Sequence, residues 1–321
     1  MPYIPRLLNL VDQNPYSKTY GCFDRSYWHY RTMDFPCGMA QEMVLPLALV
    51  YKNKYEENKF YKVKRIKEIA TAAVYFGMNS SHKDGTCDDY FPYERAMGAL
   101  VFSLYAATES YKILELNDAA LLDFFLKRVS HLEKENETGR LSNHQALAAL
   151  AAYNVYILTD NHRAKDLAIS KAKLALDWQN KQEGWFQEYE GADPGYQTYT
   201  IDFLAKLLYK MNEHGECFDF LVKPLIQAVD FAWHFMHPDG SYGGEYGSRN
   251  TYHFMPHGFE IMSSYTEKAS HLTKQFLLSI DHGRRYHNDC DRMTAHYVYN
   301  FLQAWKTHKG SEGCILKARQ K

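Results

Sequence analysis

The sequence predicts an all-α protein, an (α/α)6-type toroid of helical hairpins, complete or incomplete, and three observations predict it. Apolar residues recur at three- and four-residue steps along most of the chain, whereas strict alternation is scarce. Gly38, Gly85, Gly139, Gly184, Gly240 and Gly283 each stand in a polar or aromatic turn before a helical pattern, at separations of 43 to 56 residues. That is the length of one helical hairpin with its loops. The helical patterns are also of two kinds, one apolar and one charged, as expected of an inner and an outer ring.

The elements follow in order. Residues 1–35, rich in turn formers, read as an N-terminal arm of a single domain over residues 1–321. "EMVLPLALVYKNKY" and "ERAMGALVFSLYAATESYKIL" are apolar helices, with the more charged "KFYKVKRIKEIATAAVYF" between them. "NHQALAALAAYNVYILT" is again apolar, and "RAKDLAISKAKLALDWQNK" is its charged partner. "YTIDFLAKLLYKM" and "HYVYNFLQAWKTH" supply later apolar helices, and "KDGT", "HPDGS" and "DHGR" mark turns between helices.

Composition excludes several classes. Lys and Arg number 37 against 38 Asp and Glu, so no basic excess points to nucleic acid. The six cysteines form no CxxC pair, which argues against a disulfide scaffold or a local zinc site. No run of 18 apolar residues predicts a membrane span. The start of the chain lacks the basic and apolar regions of a secretory signal, so the expected compartment is the cytoplasm, or an exported one if a leader has been removed. No cofactor is expected. His253 and His257 have a zinc-like spacing, but Pro256 lies between them and no HExxH accompanies them, so no metal is expected either.

In the toroid reading the glycine-bearing loops open on one end, and helix N-termini there favour an anionic ligand. The loops carry reactive side chains. The first holds Trp28, the second Asp88, Asp89 and Arg95, and the third Asn143 and His144. The fourth, "EGWFQEYEGADPGYQTY", holds Trp185, Glu188, Tyr196 and Tyr199, and the fifth holds Glu245, Tyr246, Arg249, Asn250 and His253. Ser142 or Asn143 also suits a plain N-cap, and Tyr196 beside Pro194 and Gly195 also suits helix-start packing.

These residue types suit elimination from a uronate. The carbon-bound proton beside the carboxylate is acidic only if that carboxylate is neutralised, a task for Asn143 and Arg249. A base takes the proton and an acid protonates the departing oxygen. Tyr196 does both if they lie on one face; otherwise His144 is the base and Tyr196 the acid. Trp28 and Trp185 are stacking candidates. Glu188, Tyr199, Arg95, Tyr246, Asn250 and His253 complete the expected contacts to an acidic polysaccharide or oligosaccharide.

The "SNHQALA" helix start, followed by "GWFQEYEGADPGYQTYTIDFL", resembles the toroid domain of heparinase II/III-like and alginate-lyase-like polysaccharide lyases, best over residues 139–205. The resemblance implies Asn143 as carboxylate neutraliser, His144 as candidate base, Tyr196 as the acid–base tyrosine and Glu188 at the loop's acidic position. The sequence departs from that pattern at Gln197, where histidine is common, and has no β-sandwich after the helices. Two other readings compete. One is a toroid glycoside hydrolase or sugar epimerase with paired carboxylates, Asp88 or Asp89 with Glu188, Asp239 or Glu245. The other is a carbohydrate-binding protein without catalysis.

Overall fold

The computed structural model describes residues 3–137, 139–216, 219–244, 247, 253–283 and 291–310. Its helices are α1 (Tyr3–Leu10), α2 (Arg25–Trp28), α3 (Val44–Lys52), α4 (Lys64–Asn79), α5 (Met97–Ile113), α6 (Ala119–Lys134), α7 (Ser142–Thr159) and α8 (His162–Asp177). A short hairpin, β1 (Gln187–Glu188) and β2 (Gly191–Ala192), precedes α9 (Pro194–Glu213), α10 (Val222–Trp233), α11 (Pro256–Met262), α12 (Glu267–Asp281) and α13 (Asp291–Gly310). β1 and β2 pair antiparallel, with Gln187 opposite Ala192. No described helix is long and apolar enough to cross a membrane.

The chain divides into two compact units. The first comprises Met1–Asn136, Ala151–Ala168 and Cys290–Leu302; the second comprises Glu137–Leu150, Ile169–Asp289 and Gln303–Lys321. In the first, α3 packs on α4 and α5. α3 and α5 bury nearly every face, and their apolar composition is the reason. α4 and α6 are amphipathic and bury one stripe, Ile66, Ile69, Ala70 and Ala73 on α4. The expected N-terminal arm contributes to this core, since Ile4 and Leu7 of α1 are fully buried.

In the second unit α9 packs on α10 and α11, and α11 on α12. Here the contact is backbone to backbone: a Cβ on Gly258 would lie 2.5 Å from Asp202 Cα. Two polar features lie inside this packing. Asp202 and Lys206 form an i,i+4 ion pair at 2.6 Å. His257 shares a hydrogen bond with the Thr307 hydroxyl at 2.8 Å, and burial, reinforced by Lys206, Lys210 and Lys306, holds its imidazole well below its ordinary pKa.

One device recurs before the helices. At Gly184 the N–H donates to Asn180 O (2.9 Å), and the Asn180 N–H donates to Trp185 O (2.8 Å), closing a tight turn. Gly184 has φ +83°, and a Cβ there would collide with the Gln227 carbonyl of α10, so only glycine fits. The same pair of bonds closes at Gly21 with Asp12 and Cys22, at Gly85 with His82 and Thr86, and at Gly240 with His237 and Ser241. Each latch lies against a one-sided helix of its own unit: α4, α6, α10 and α12 for Gly21, Gly85, Gly184 and Gly240.

This corrects the expected series of six glycines. Among the described residues, the latch recurs four times, and Gly21 holds a place assigned to Gly38. Gly38 instead opens a 3-10 turn, Gly38–Met43, against Cys87. A Cβ on Gly139 would meet only Leu141, and one on Gly283, just past the end of α12, would point into open space.

A buried side chain fastens most of these latches. Gln197 Oε1 accepts the Phe186 N–H (2.9 Å), while its Nε2 donates to Gly184 O and to Ala228 O of α10, both at 3.2 Å. Gln41 repeats this with the Phe23 N–H (2.9 Å), Gly21 O (3.2 Å) and Ala73 O of α4 (3.1 Å). At Gly85 the task falls to Arg128, whose guanidinium donates to Gly85 O (2.9 Å), Leu100 O (3.2 Å) and the Ser103 hydroxyl (2.7 Å).

Candidate functional site

Most of the described candidates gather in the second unit, at the start of α9. Asp193 is the N-cap: its Oδ1 accepts the Tyr196 N–H at 2.9 Å, with Pro194 at the first helical position. Such a cap is worth about 1 kcal/mol, and proline there pre-sets the backbone. The segment around His253 runs against this turn. The Met255 N–H donates to Thr198 Oγ1 at 3.2 Å, and a Cβ on Gly195 would lie 3.3 Å from His253 Cβ.

Four rings meet here. Tyr196 lies 5.2 Å from Tyr189, 5.6 Å from Tyr199 and 6.4 Å from His253, centroid to centroid. The Tyr189 hydroxyl donates to that of Tyr196 at 3.3 Å. Tyr189 is 53% exposed and Tyr196 8%, so the pair runs from solvent into the protein. Tyr189 and Glu190 hold left-handed backbone, φ 45° and 72°, at the tip of the β1–β2 hairpin. Non-glycine residues adopt this region at a cost, and such strain clusters at functional sites.

Beneath the hairpin, Glu188 and Asn143 are joined. Glu188 Oε1 accepts the Asn143 backbone N–H and Oε2 the Asn143 side-chain amide, both at 2.7 Å. Thr200, one turn beyond Tyr196 on the same face of α9, reaches Oε1 at 3.5 Å. The Ser142 hydroxyl donates to Gln187 O at 2.9 Å. The first turn of α7 is therefore met by a carboxyl from β1, 45 residues away in sequence. Both partners are 1% exposed. Burial pushes the Glu188 carboxyl up to about 8; the Asn143 bonds pull the other way, and the nearby Asp193 charge adds to the rise. His144, next on α7, pairs through Nδ1 with Glu137 Oε2 at 2.6 Å.

The remaining candidates are placed differently. Trp185 is half-buried and donates to Glu183 at 2.7 Å. Trp28 and Arg95 belong to the first unit. Trp28 donates its indole N–H to Leu10 O at 2.9 Å, and Arg95 pairs with Asp84 at 2.6 Å. Arg249, Tyr246, Asn250 and Glu245 lie outside the described residues. Among the described residues no three His, Cys, Asp or Glu side chains gather as metal ligands.

Two sequence expectations change their physical meaning. Gln197, read as a departure from a histidine position, is fully buried and fastens the Gly184 latch. Asn143, read as a carboxylate neutraliser, has its amide nitrogen turned to Glu188. Thr200 and Glu137 were missed. The i,i+4 spacing of Tyr196 and Thr200 was available as a signal, whereas nothing local marks Glu137 as the partner of His144.

No known family profile and no curated protein matches the sequence. Solved structures do match. Cellobiose 2-epimerase from Bacillus thermoamylovorans superposes with a TM-score of 0.65 at 14% identity, covering 94% of this chain and 95% of that one. The Lin0763 protein from Listeria innocua follows with a TM-score of 0.58 at 10% identity, covering 85% and 86%. A Paenibacillus xanthan lyase gives a TM-score of 0.61 at 12% identity, covering 96% of this chain but 30% of that one. The chain thus has the all-α, α/α-toroid fold of these structures. Likeness at this identity establishes the fold and leaves function to the site.

Proposed function

We propose that this chain is a carbohydrate-active enzyme that removes a carbon-bound proton beside a carbonyl group, acting as a lyase on a uronate-containing polysaccharide or oligosaccharide. The observation that carries the reading is the Tyr189–Tyr196–Tyr199–His253 cluster at the capped start of α9, beside the buried Glu188–Asn143 pair. A phenol fixed by a helix start and backed by a second phenol is suited to pass a proton. In β-elimination the C5 proton leaves to a base, the electron pair is held by the neighbouring carboxylate, and the C4–O bond breaks as its oxygen gains a proton. Tyr196 serves as that acid. The base is Tyr196 itself or His144, according to the stereochemistry at C5. Arg249 remains a proposed carboxylate partner, and Tyr246, Asn250, Tyr199, Trp185, Trp28 and Arg95 remain proposed substrate contacts.

Hydrolysis through paired carboxylates has less support. Asp88 accepts the Tyr93 and Arg95 N–H groups and faces His82 at 2.9 Å, Asp239 accepts from Ser241, and Glu188 is buried against Asn143. Asp88 and Asp239 shape their own loops, and Glu188 is committed to Asn143 of α7.

A second reading is sugar 2-epimerisation, favoured by the nearly full mutual coverage with cellobiose 2-epimerase. It shares the first step, removal of a proton beside a carbonyl, but returns the proton to the other face. The test separates the two. Alginate, heparin, chondroitin and bacterial acidic glycans are incubated with the protein, and ultraviolet absorbance of an unsaturated uronate is followed. Cellobiose in heavy water is examined in parallel for deuterium at C2. Absorbance that disappears with Tyr196→Phe supports the lyase; deuterium without absorbance supports the epimerase; the absence of both signals sinks both readings.

A further inference from the structure

Glu188 spans two helices that carry candidate catalytic groups, and its partner Asn143 uses only one end of its side-chain amide. The Asn143 amide nitrogen faces Glu188, while the amide oxygen is buried and, among the described residues, accepts no hydrogen bond. A buried polar atom left unpaired costs about 1–3 kcal/mol, so a folded protein rarely keeps one without reason. Neither bond between Glu188 and Asn143 is required to fasten the turn, because Gln197 already does so.

We propose that Glu188 is a proton-dependent positioning residue that decides which end of the Asn143 amide faces the ligand. The ionised carboxylate accepts two N–H groups from Asn143, which is the arrangement in the structure. A protonated carboxyl carries one O–H donor. It donates to the Asn143 oxygen once the amide turns over, while its other oxygen keeps the backbone N–H. The turned amide gains a partner for its oxygen and presents its NH2 in the opposite direction. An NH2 group is what a substrate carboxylate needs. Binding of a carboxylated sugar is therefore coupled to uptake of one proton by Glu188. This deepens, and rests on, the reading of the substrate as a uronate.

The groups facing Glu188 are consistent with such a balance. From the α9 side come Thr200 and the Asp193 carboxylate, whose charge favours the proton. From α7 come Asn143 and, one residue on, the His144–Glu137 pair. On its own hairpin, Tyr189 and Glu190 are exposed. Burial sets the crossover at about 8, within reach of ordinary buffers.

The test uses the intact protein. The 15N-labelled side-chain amide of Asn143 is followed by NMR through a pH titration, and affinity for an alginate trisaccharide is measured calorimetrically across the same range. The expected result is an Asn143 amide signal that moves with a midpoint near 8, and an affinity that falls about tenfold per pH unit above it. In Glu188→Gln the side-chain NH2 mimics the protonated carboxyl, so the signal holds still and the affinity stays flat. Glu188→Asp, which keeps a carboxyl but shortens it, serves if the glutamine variant folds poorly, and is expected to shift the midpoint. An Asn143 signal that does not titrate in the wild-type protein overturns the proposal, as does an identical pH slope of affinity in wild type and variant. A titrating amide with no trisaccharide binding at any pH would remove the uronate reading and the coupling, and leave only the amide switch.

Discussion

The Gly21 and Gly184 latches are built alike and decorated differently. In both, a glutamine accepts a phenylalanine N–H and donates to a glycine carbonyl and an alanine carbonyl on a neighbouring helix. The residue before that glutamine is Ala40 in one and Tyr196 in the other, and two residues past the phenylalanine stand Arg25 and Glu188. The glutamine belongs to the scaffold, since the fold uses it twice. Tyr196 and Glu188 do not, since the same latch closes without them. That contrast separates what the latch needs from what it carries within one short segment.

The strongest way to test the contrast is to remove the decoration. Tyr196→Phe is expected to lower turnover by about 10²–10⁴-fold, the usual worth of a general acid or base, with an unchanged thermal midpoint. Ala40→Ser, at the matching place in the first unit, is expected to leave turnover alone. A Tyr196→Phe protein with wild-type activity would make the tyrosine mere packing.

Removing the scaffold should hurt both units similarly. Gln41→Leu and Gln197→Leu each strip a buried phenylalanine N–H of its acceptor and two carbonyls of one donor, although Gly184 O keeps the Gln179 Nε2 donor at 3.0 Å. Each is expected to cost about 3 kcal/mol in urea denaturation. A large loss for one and almost none for the other would show that the two latches are not equivalent.

The pH response should be sharper in the second unit. Glu188 holds its proton more tightly folded, about 8, than its ordinary 4.5, so its contribution is full below 4.5 and is lost as pH rises through 8. His257 runs the opposite way. Folded it stays neutral well below its ordinary 6.5, so the unfolded chain binds more protons and stability falls as pH drops below 6.5. Thermal midpoints measured across pH should therefore peak between these limits. Glu188→Gln should flatten the alkaline limb and His257→Gln the acid one. Limbs unaltered by either change would mean that other groups set the profile.

The smallest effect is expected at Arg95. Its pair with Asp84 leaves the two side chains 55% and 38% exposed, so Arg95→Ala should cost no more than about 0.5 kcal/mol. If Arg95 also contacts substrate, KM rises while the thermal midpoint holds; an unchanged KM removes it from the site.

What was legible in the sequence is what local chemistry dictates. Helical periodicity located α5, α7 and α9, and Asp193, Pro194 and Gly195 marked the start that displays Tyr196. The Gly184 turn was also readable. The pairing of Glu188 with Asn143 was not, because it joins residues 45 apart and neither carries a local mark of the other. Gly21 escaped notice because "TYGCFD" lies within residues 1–35, which read as an arm ahead of the first apolar helix. Gln197 looked like a substitution at a functional position because its three partners exist only after folding.

Gln197 has one more consequence. By binding Phe186 at one end of the loop and standing at the other end itself, it clamps both stems of residues 187–196 with a single side chain. The hairpin tip between, residues 189–191, is then free to vary in length and content, as a hypervariable loop is on an antibody framework, while Glu188 and Asp193 keep their bonds to Asn143 and Tyr196; the corresponding span before Gln41 is longer, 18 residues from Phe23 against 11 here. The fold therefore offers a ready grafting position, where a new acid–base group can be installed by replacing one cassette and leaving the clamp untouched.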